Sequence, residues 1–192
     1  ALPTIINLTK SDNIDVRLTA IQAIGKIGDS NSLLPVATIA ASTTGHERNL
    51  ARSTIANIKS ENVQNTIIAS IKETSPEIQS ELVRAIASRA EESALKHLFI
   101  YAKSEFSSVR KEAIRGIGIL GTANELSNLM NLLINPAEDS DRADIESAIV
   151  YNFRRIENNK IKFNALKEAL KSPKPKVKIS VLSLLGKNPN NE

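Results

Sequence analysis

Residues 16–25 of this chain read VRLTAIQAIG, and residues 109–118 read VRKEAIRGIG. The two stretches begin 93 residues apart, three times 31, and Glu47 and Ile78 begin similar patterns at the two intermediate positions. A fixed period of roughly 20–50 residues is typical of solenoids, whose units bury their apolar faces only against neighbouring units. The sequence therefore predicts a repeat protein with a period of 31 residues.

Each period contains the pattern of two helices joined by a turn. In the first repeat, five apolar residues have the spacing that places them on one buried helix face: Val16, Ala20, Ile21, Ile24 and Ile27. A turn at 28–30 and a second helix at about 32–41 come next. Aromatic residues make up only 3% of the chain and Trp is absent, so the core must be aliphatic. We expect an all-α fold, a right-handed α-solenoid (superhelix) of about five helical hairpins.

The predicted repeats cover the whole chain, 1–192, as a single domain. Their expected bounds are about 12–42, 43–72, 73–103, 104–136 and 137–172, with half-repeats at 1–11 and 173–192. Both ends lie in mid-repeat, and neither has the polar capping repeat that a complete solenoid needs. We therefore expect the chain to be a fragment of a longer protein.

Several short motifs resemble those of HEAT repeats, and more narrowly the short bacterial type first associated with phycobilisome lyases. The first copy contains Leu2-Pro3, Asp15-Val16-Arg17, Ala23-Ile24-Gly25 and Gly28-Asp29. The second contains Val109-Arg110, Ala113, Gly116-Ile117-Gly118 and Gly121. The resemblance implies a stack of helical hairpins, but it says little about activity. Glu47 and Asp141 depart from the pattern because they replace a hydrophobic residue at a helix start, and Gln79 replaces the arginine.

Arginines recur at nearly the same phase of the repeat, and Lys178 lies close to that phase in the last unit. The members of this arginine ladder are Arg17, Arg48, Arg110 and Arg142. The resemblance implies that they reach turn carbonyls or carboxylates of adjacent repeats, with Asp15 and Asp29 as plausible acceptors. The planar guanidinium suits that role because it donates several hydrogen bonds in fixed directions. The alternative is a stripe that binds an acidic partner or phosphates.

The positive charge of the chain is concentrated near its C-terminal end. Residues 154–178 hold nine basic and two acidic side chains, a net charge of +7, whereas the rest of the chain carries −3. We therefore expect a partner to bind at Arg154, Arg155, Lys160, Lys162, Lys167 and Lys171. With Phe153 and Phe163 beside them, these residues could contact a nucleic-acid backbone. The alternative is that these residues form a solvated surface with no partner.

No set of residues predicts a catalytic, metal or cofactor site. The chain has no Cys and only two His, His46 and His97, 51 residues apart. The GxGxxG match at 116–121 follows no strand, which a phosphate-binding loop would require. One acidic cluster lacks the spacing of a calcium loop, namely Glu138, Asp139, Asp141, Asp144 and Glu146.

The sequence accordingly predicts a non-catalytic protein–protein interaction or scaffold module with an unknown protein partner. One alternative is nucleic-acid binding through 154–178; a further one, implied by the resemblance alone, is a chaperone-like subunit of a bilin lyase. No apolar run reaches the roughly 18 residues needed to cross a membrane, so none of this segment is expected to insert into one. With no signal peptide and no Cys, we expect a cytoplasmic protein.

Overall fold

The computed structural model describes residues 1–91 and 93–187, and in these ranges it contains twelve α-helices and no strand. The helices are α1 (Leu2–Leu8), α2 (Ile14–Ile27), α3 (Leu33–Ser42), α4 (Gly45–Asn57), α5 (Val63–Ile71), α6 (Pro76–Arg89), α7 (Ala94–Tyr101), α8 (Ser107–Leu120), α9 (Leu126–Ile134), α10 (Arg142–Phe153), α11 (Asn159–Leu170) and α12 (Pro175–Lys187). The even-numbered helices are the first helices of the repeats, and the odd-numbered helices are the second. The all-α prediction is confirmed.

The chain divides into two compact units, Ala1–Glu91 and Glu92–Glu192, called unit 1 and unit 2 below. The division falls between α6 and α7, the two helices of the third predicted repeat. The expectation of one continuous domain over 1–192, with the repeat bounds given above, stays a prediction.

Unit 1 is held together by aliphatic side chains from neighbouring helices. α3 packs against α4 and α6, α4 against α2, and α6 against α5. The fully buried positions include Ile21, Ile24, Leu33, Ile55, Ile67, Leu82 and Ile86. Val16 and Ile27, expected in this core, are instead 37% and 54% exposed. Ile27 is exposed because α1 has seven residues against fourteen in α2 and covers only part of that helix. Val16 lines an open groove with Ile5 and Leu8 of α1.

In unit 2, α8 and α10 pack closely against each other. A Cβ atom on Gly118 would lie 2.8 Å from the Cα of Ala148, so only glycine permits this approach. α10 also packs against α9 and α12, and α11 packs against α9 and α12. The buried side chains include Ile114, Ile117, Leu129, Leu133, Ile149, Phe153 and Leu184. The core is therefore aliphatic, as expected, with one phenylalanine.

Candidate interaction surfaces

The arginine at the start of α2 joins a loop to the next repeat. Arg17 donates from Nη1 to the backbone oxygens of Ser11 (2.9 Å) and Asp12 (3.2 Å). Its Nε and Nη2 donate to the carboxylate of Glu47, 30 residues further on, at 2.7 and 3.2 Å. This hydrogen bond holds the pKa of Glu47 below its usual value and raises the pKa of Arg17. All three guanidinium nitrogens of Arg17 therefore donate hydrogen bonds within unit 1.

Unit 2 repeats this arrangement at the start of α8, in a more buried setting. Arg110 donates to the backbone oxygens of Ser104 and Glu105, both at 3.0 Å. Its Nε lies 2.7 Å from Oδ2 of Asp141, and the two side chains are only 5% and 8% exposed. The acceptors in both units are thus Glu47 and Asp141, the residues that depart from the repeat pattern, rather than the expected aspartates of the first repeat.

The remaining ladder positions vary in their contacts. Arg142 donates to the backbone oxygen of Leu133 at 2.6 Å and to Asp139 at 3.0 Å. Gln79, which replaces an arginine, keeps the loop contact by donating to the backbone oxygen of Thr74 at 2.8 Å. The Nε of Arg48 is buried, and within the described part of the chain it has no hydrogen-bond partner. The ladder arginines with printed contacts are therefore turned towards the protein, where Arg17 and Arg110 each bond a loop carbonyl and a carboxylate. These contacts favour the structural role over the binding stripe.

The basic segment 154–178 does not form one cationic surface. Lys162 is only 2% exposed, so its inclusion among the partner-binding residues was wrong: its side chain replaces an apolar residue on the buried face of α11. Arg155 donates to the backbone oxygens of Ile119 and Gly121 at the end of α8, and its guanidinium lies 5.7 Å from the ring centre of Tyr151.

Other lysines of this segment are also engaged inside unit 2. Lys171 contacts Glu168 at 2.7 Å, and Lys174 donates to the backbone oxygen of Ile134 at 3.0 Å. Lys176 pairs with Asp139, which lowers the pKa of that carboxyl. Of the six expected binding residues, those that are exposed and have no polar side-chain partner in the described ranges are Arg154, Lys160 and Lys167.

Three members of the acidic cluster at 138–146 contact separate partners. Asp141 accepts from Arg110, Asp139 accepts from Arg142 and Lys176, and Glu146 accepts from Ser183 at 3.0 Å.

His46 is exposed on α4 and His97 is half-buried on α7. No helix in the described ranges combines the length and the apolarity that a membrane crossing would require.

Charge is divided unequally between the two sets of helices. Every even-numbered helix carries at least three Asp, Glu, Lys or Arg residues, whereas α1, α3, α5 and α9 carry none. On these four helices, the exposed polar side chains are Thr4, Asn7, Thr38, Ser42, Asn65, Ser127, Asn128 and Asn131. These four helices thus present neutral donors and acceptors, whereas α7 carries Lys96 and α11 carries four charged residues. Sequence reasoning overlooked this pattern although the helix sequences already contain it.

Two open grooves lie on the odd-numbered helices of unit 2. The first, of about 530 Å³, runs between α9 and α11, and its lining includes Ser127, Met130, Asn131, Ile134, Ile161 and Asn164. The second, of about 470 Å³, runs between α7 and α9, and its lining includes Lys96, Phe99, Lys103, Asn128, Asn131 and Asn135. Asn131 lines both, so the two grooves adjoin across α9.

A third groove, of about 350 Å³, lies between the even-numbered helices α8 and α10. Lys111 and Arg115 stand on one side of it, and Asp144 and Tyr151 on the other. It therefore carries charges of both signs, unlike the α7–α9 groove.

Comparisons with known proteins agree with this architecture. A family model described as HEAT repeats matches residues 63–150, and a second, described as HEAT repeat, matches residues 1–30. No curated protein sequence matches the chain. The X-ray structure of the Escherichia coli protein YibA is similar, with a TM-score of 0.52 and 18% identity over 95% of this chain and 69% of that one. A designed armadillo repeat protein in complex with the peptide (KR)4 gives a TM-score of 0.44 and 20% identity over 97% and 98% of the two chains.

The α-solenoid class expected from the sequence is confirmed by these matches together with the all-helical structure. At these identities the likeness to solved structures concerns the fold alone.

Proposed function

Because this chain belongs to the HEAT-repeat family, we propose that it is a non-catalytic module that binds a partner protein through its odd-numbered helices. Repeat folds of this kind typically serve as scaffolds, since stacked hairpins give an extended surface rather than a closed pocket. The grooves of unit 2 have this character: each is open and runs between neighbouring helices.

The observation that carries the proposal is the absence of charged side chains from α1, α3, α5 and α9. Peptide groups are neutral, and each offers one donor and one acceptor. Exposed asparagine amides offer the same two groups, and exposed Ser and Thr hydroxyls can accept. A surface of this composition matches a polypeptide better than a polyphosphate, which binds chiefly through cations.

Nucleic-acid binding through 154–178 has less support. Half of the six basic residues that were expected to bind are buried or paired: Lys162 is buried, Arg155 caps α8, and Lys171 contacts Glu168. The electrostatic part of nucleic-acid affinity comes from surface cations that neutralise phosphates, and these three residues are not free to supply it. The bilin-lyase alternative stays a prediction from resemblance.

Phage display of random peptides on the immobilised 192-residue chain tests the proposal. We expect enrichment of related sequences whose synthetic forms bind saturably in fluorescence polarisation. Electrophoretic shift assays with duplex DNA and single-stranded RNA over a salt series run in parallel. The proposal is refuted if no peptide family is enriched. It is also refuted if nucleic acid binds with steep salt dependence that neutralising Arg154, Lys160 and Lys167 abolishes, while peptides bind only weakly.

A further inference from the structure

The two adjoining grooves of unit 2 meet at a side chain that is unusually suited to a peptide main chain. Asn131 is exposed in the middle of α9, lines both grooves, and has no side-chain hydrogen bond in the described ranges. Asn128 stands one turn earlier on the same face of the helix. An asparagine amide can donate to a peptide C=O and accept from a peptide N–H at the same time.

The distances between helices suit an extended segment that crosses them. Packed helices lie roughly 8–10 Å apart, and an extended chain advances roughly 3.3 Å per residue. About three residues therefore span the step from one helix to the next. α9 packs against α11, so about three residues cross that step, and a longer segment also reaches the α7–α9 groove.

The linings of the two grooves differ, and the difference indicates which side chains a bound peptide would carry. Lys96 and Lys103 line the α7–α9 groove with no carboxylate beside them, and both are exposed without an ion-pair partner in the described ranges. This charge complements an aspartate or glutamate. The α9–α11 groove is lined by Met130 and Ile161, and its one carboxylate, Glu168, is already held by a lysine. This lining suits an aliphatic side chain.

We propose that the α7–α9–α11 face of unit 2 binds an extended peptide that places an acidic side chain between Lys96 and Lys103. The main chain of the peptide is held by the Asn131 amide, and an aliphatic residue about three positions from the acidic one lies against Met130 and Ile161. The proposal rests on the protein-binding function above and adds the site and the chemical class of the ligand.

The charges of α9 and its neighbours also bear on the competing occupant. α9 itself has no charged side chain, and the cations that line the groove beside it are Lys96 and Lys103. Lys174, at the C-terminal end of α9, is already bonded to the backbone oxygen of Ile134. A nucleic-acid strand lying along the grooves would pass α9 with no cation for its phosphates. A peptide main chain that crosses α9 can instead form hydrogen bonds with the Asn131 amide.

The test uses the full chain and fluorescein-labelled peptides selected on it from the random library. We expect the selected sequences to share an Asp or Glu about three positions from an aliphatic residue. Asn131→Ala and the double variant Lys96→Ala/Lys103→Ala should each weaken binding about tenfold, and added salt should weaken the parent complex more than that of the lysine variant.

Matched controls come from exposed residues of even-numbered helices. Asn49→Ala on α4 removes an exposed amide, and Lys111→Ala on α8 removes an exposed cation; both should bind as the parent does. Circular dichroism of each variant checks that the helices are intact. If selected peptides bind Asn131→Ala and the double lysine variant as tightly as the parent, this site is refuted while the protein-binding function stands. If no peptide is enriched, the protein-binding function itself fails.

Discussion

Removing the guanidinium of Arg110 should destabilise unit 2 more than any comparable change in the arginine ladder. Its Nε lies 2.7 Å from Asp141, in a pair whose side chains are 5% and 8% exposed. Arg110→Met keeps much of the side-chain length and leaves the carboxylate buried without its counter-charge. Deleting one partner of a buried ion pair costs about 3–5 kcal/mol of unfolding free energy.

The lower end of that range applies here, because Asp141 keeps a second hydrogen bond. The backbone N–H of Glu138 donates to its Oδ2 at 3.2 Å. The carbonyls of Ser104 and Glu105, which lose their donor, lie where water can replace it, since the first is half-buried and the second exposed. We therefore expect Arg110→Met to cost about 3 kcal/mol.

Two further variants separate the ion pair from other effects of the substitution. The double variant Arg110→Met/Asp141→Leu has no buried charge at this place and should recover to within about 1 kcal/mol of the parent. Arg17→Met breaks the corresponding pair of unit 1, in which the arginine is 25% exposed, and should cost less than Arg110→Met because solvent screens that pair.

Urea unfolding followed by far-ultraviolet circular dichroism at pH 7 measures all four proteins. In thermal melts, Arg110→Met should lower the Tm by roughly 6–12 °C for a chain of this length. The reasoning fails if Arg110→Met costs less than about 1 kcal/mol, or if the double variant is no more stable than Arg110→Met.

Four other substitutions have definite expected outcomes. Gly118→Ala would press a methyl group to 2.8 Å of the α10 backbone and should lower the free energy of unfolding by about 1–3 kcal/mol; Gly25→Ala meets nothing nearer than 3.5 Å and should raise it by about 0.5–1 kcal/mol, so equal effects in urea titrations would contradict the packing. Lys162→Met should stabilise by about 1–3 kcal/mol, because the lysine is 2% exposed; a lower urea midpoint would show that its ammonium has a partner. Because the pKa of Glu47 is lower in the folded state, its ion pair with Arg17 stabilises the fold fully at pH values above the ordinary Glu pKa of about 4.3. This stabilisation is lost as the pH falls through the lower pKa of the folded state. The urea midpoint of the parent should therefore approach that of Glu47→Gln as the pH is lowered from 7 to 3, and a constant gap would refute the link to Arg17.

The helices were predictable from the sequence because local signals agree with packing. The pattern at 14–27 combines one apolar face with an asparagine before it, and Asn13 accepts hydrogen bonds from the backbone of Asp15 and Val16 at the start of α2. Periodicity, however, indicates which residues share a face and not how far a neighbouring helix extends over it. That is why Ile27 was expected in the core and is instead half exposed.

The acceptors of the arginine ladder were not predicted, because Glu47 and Asp141 stand out only as departures from the repeat pattern. Their role becomes visible when each repeat is aligned with the repeat before it. Glu47 and Asp141 are irregular within their own helices, yet each follows a ladder arginine by 30 or 31 residues. One repeat stacked on the next brings those positions together. The sequence contained this signal as an acid one period after each of two arginines.

For the basic segment 154–178, the prediction counted the charged side chains without considering which of them are buried. Lys162 falls on the same helix stripe as Leu166 and Ala169, both buried, so the helical spacing already indicated a buried lysine. The contacts of Arg155 and Lys174 with carbonyls at the ends of α8 and α9 had no comparable signal. They join residues 34 and 40 positions apart and depend on how the repeats stack.

The most direct test of peptide binding on the odd-numbered helices is site-specific photocrosslinking of a selected peptide to the full chain. Benzoylphenylalanine replaces Asn128 on α9 in one protein and Lys111 on α8 in another; both positions are exposed. We predict that illumination joins the labelled peptide to the protein substituted at position 128, and that excess unlabelled peptide suppresses the product. Crosslinking at position 111 with none at position 128 would place the ligand on the even-numbered helices and contradict the proposed surface.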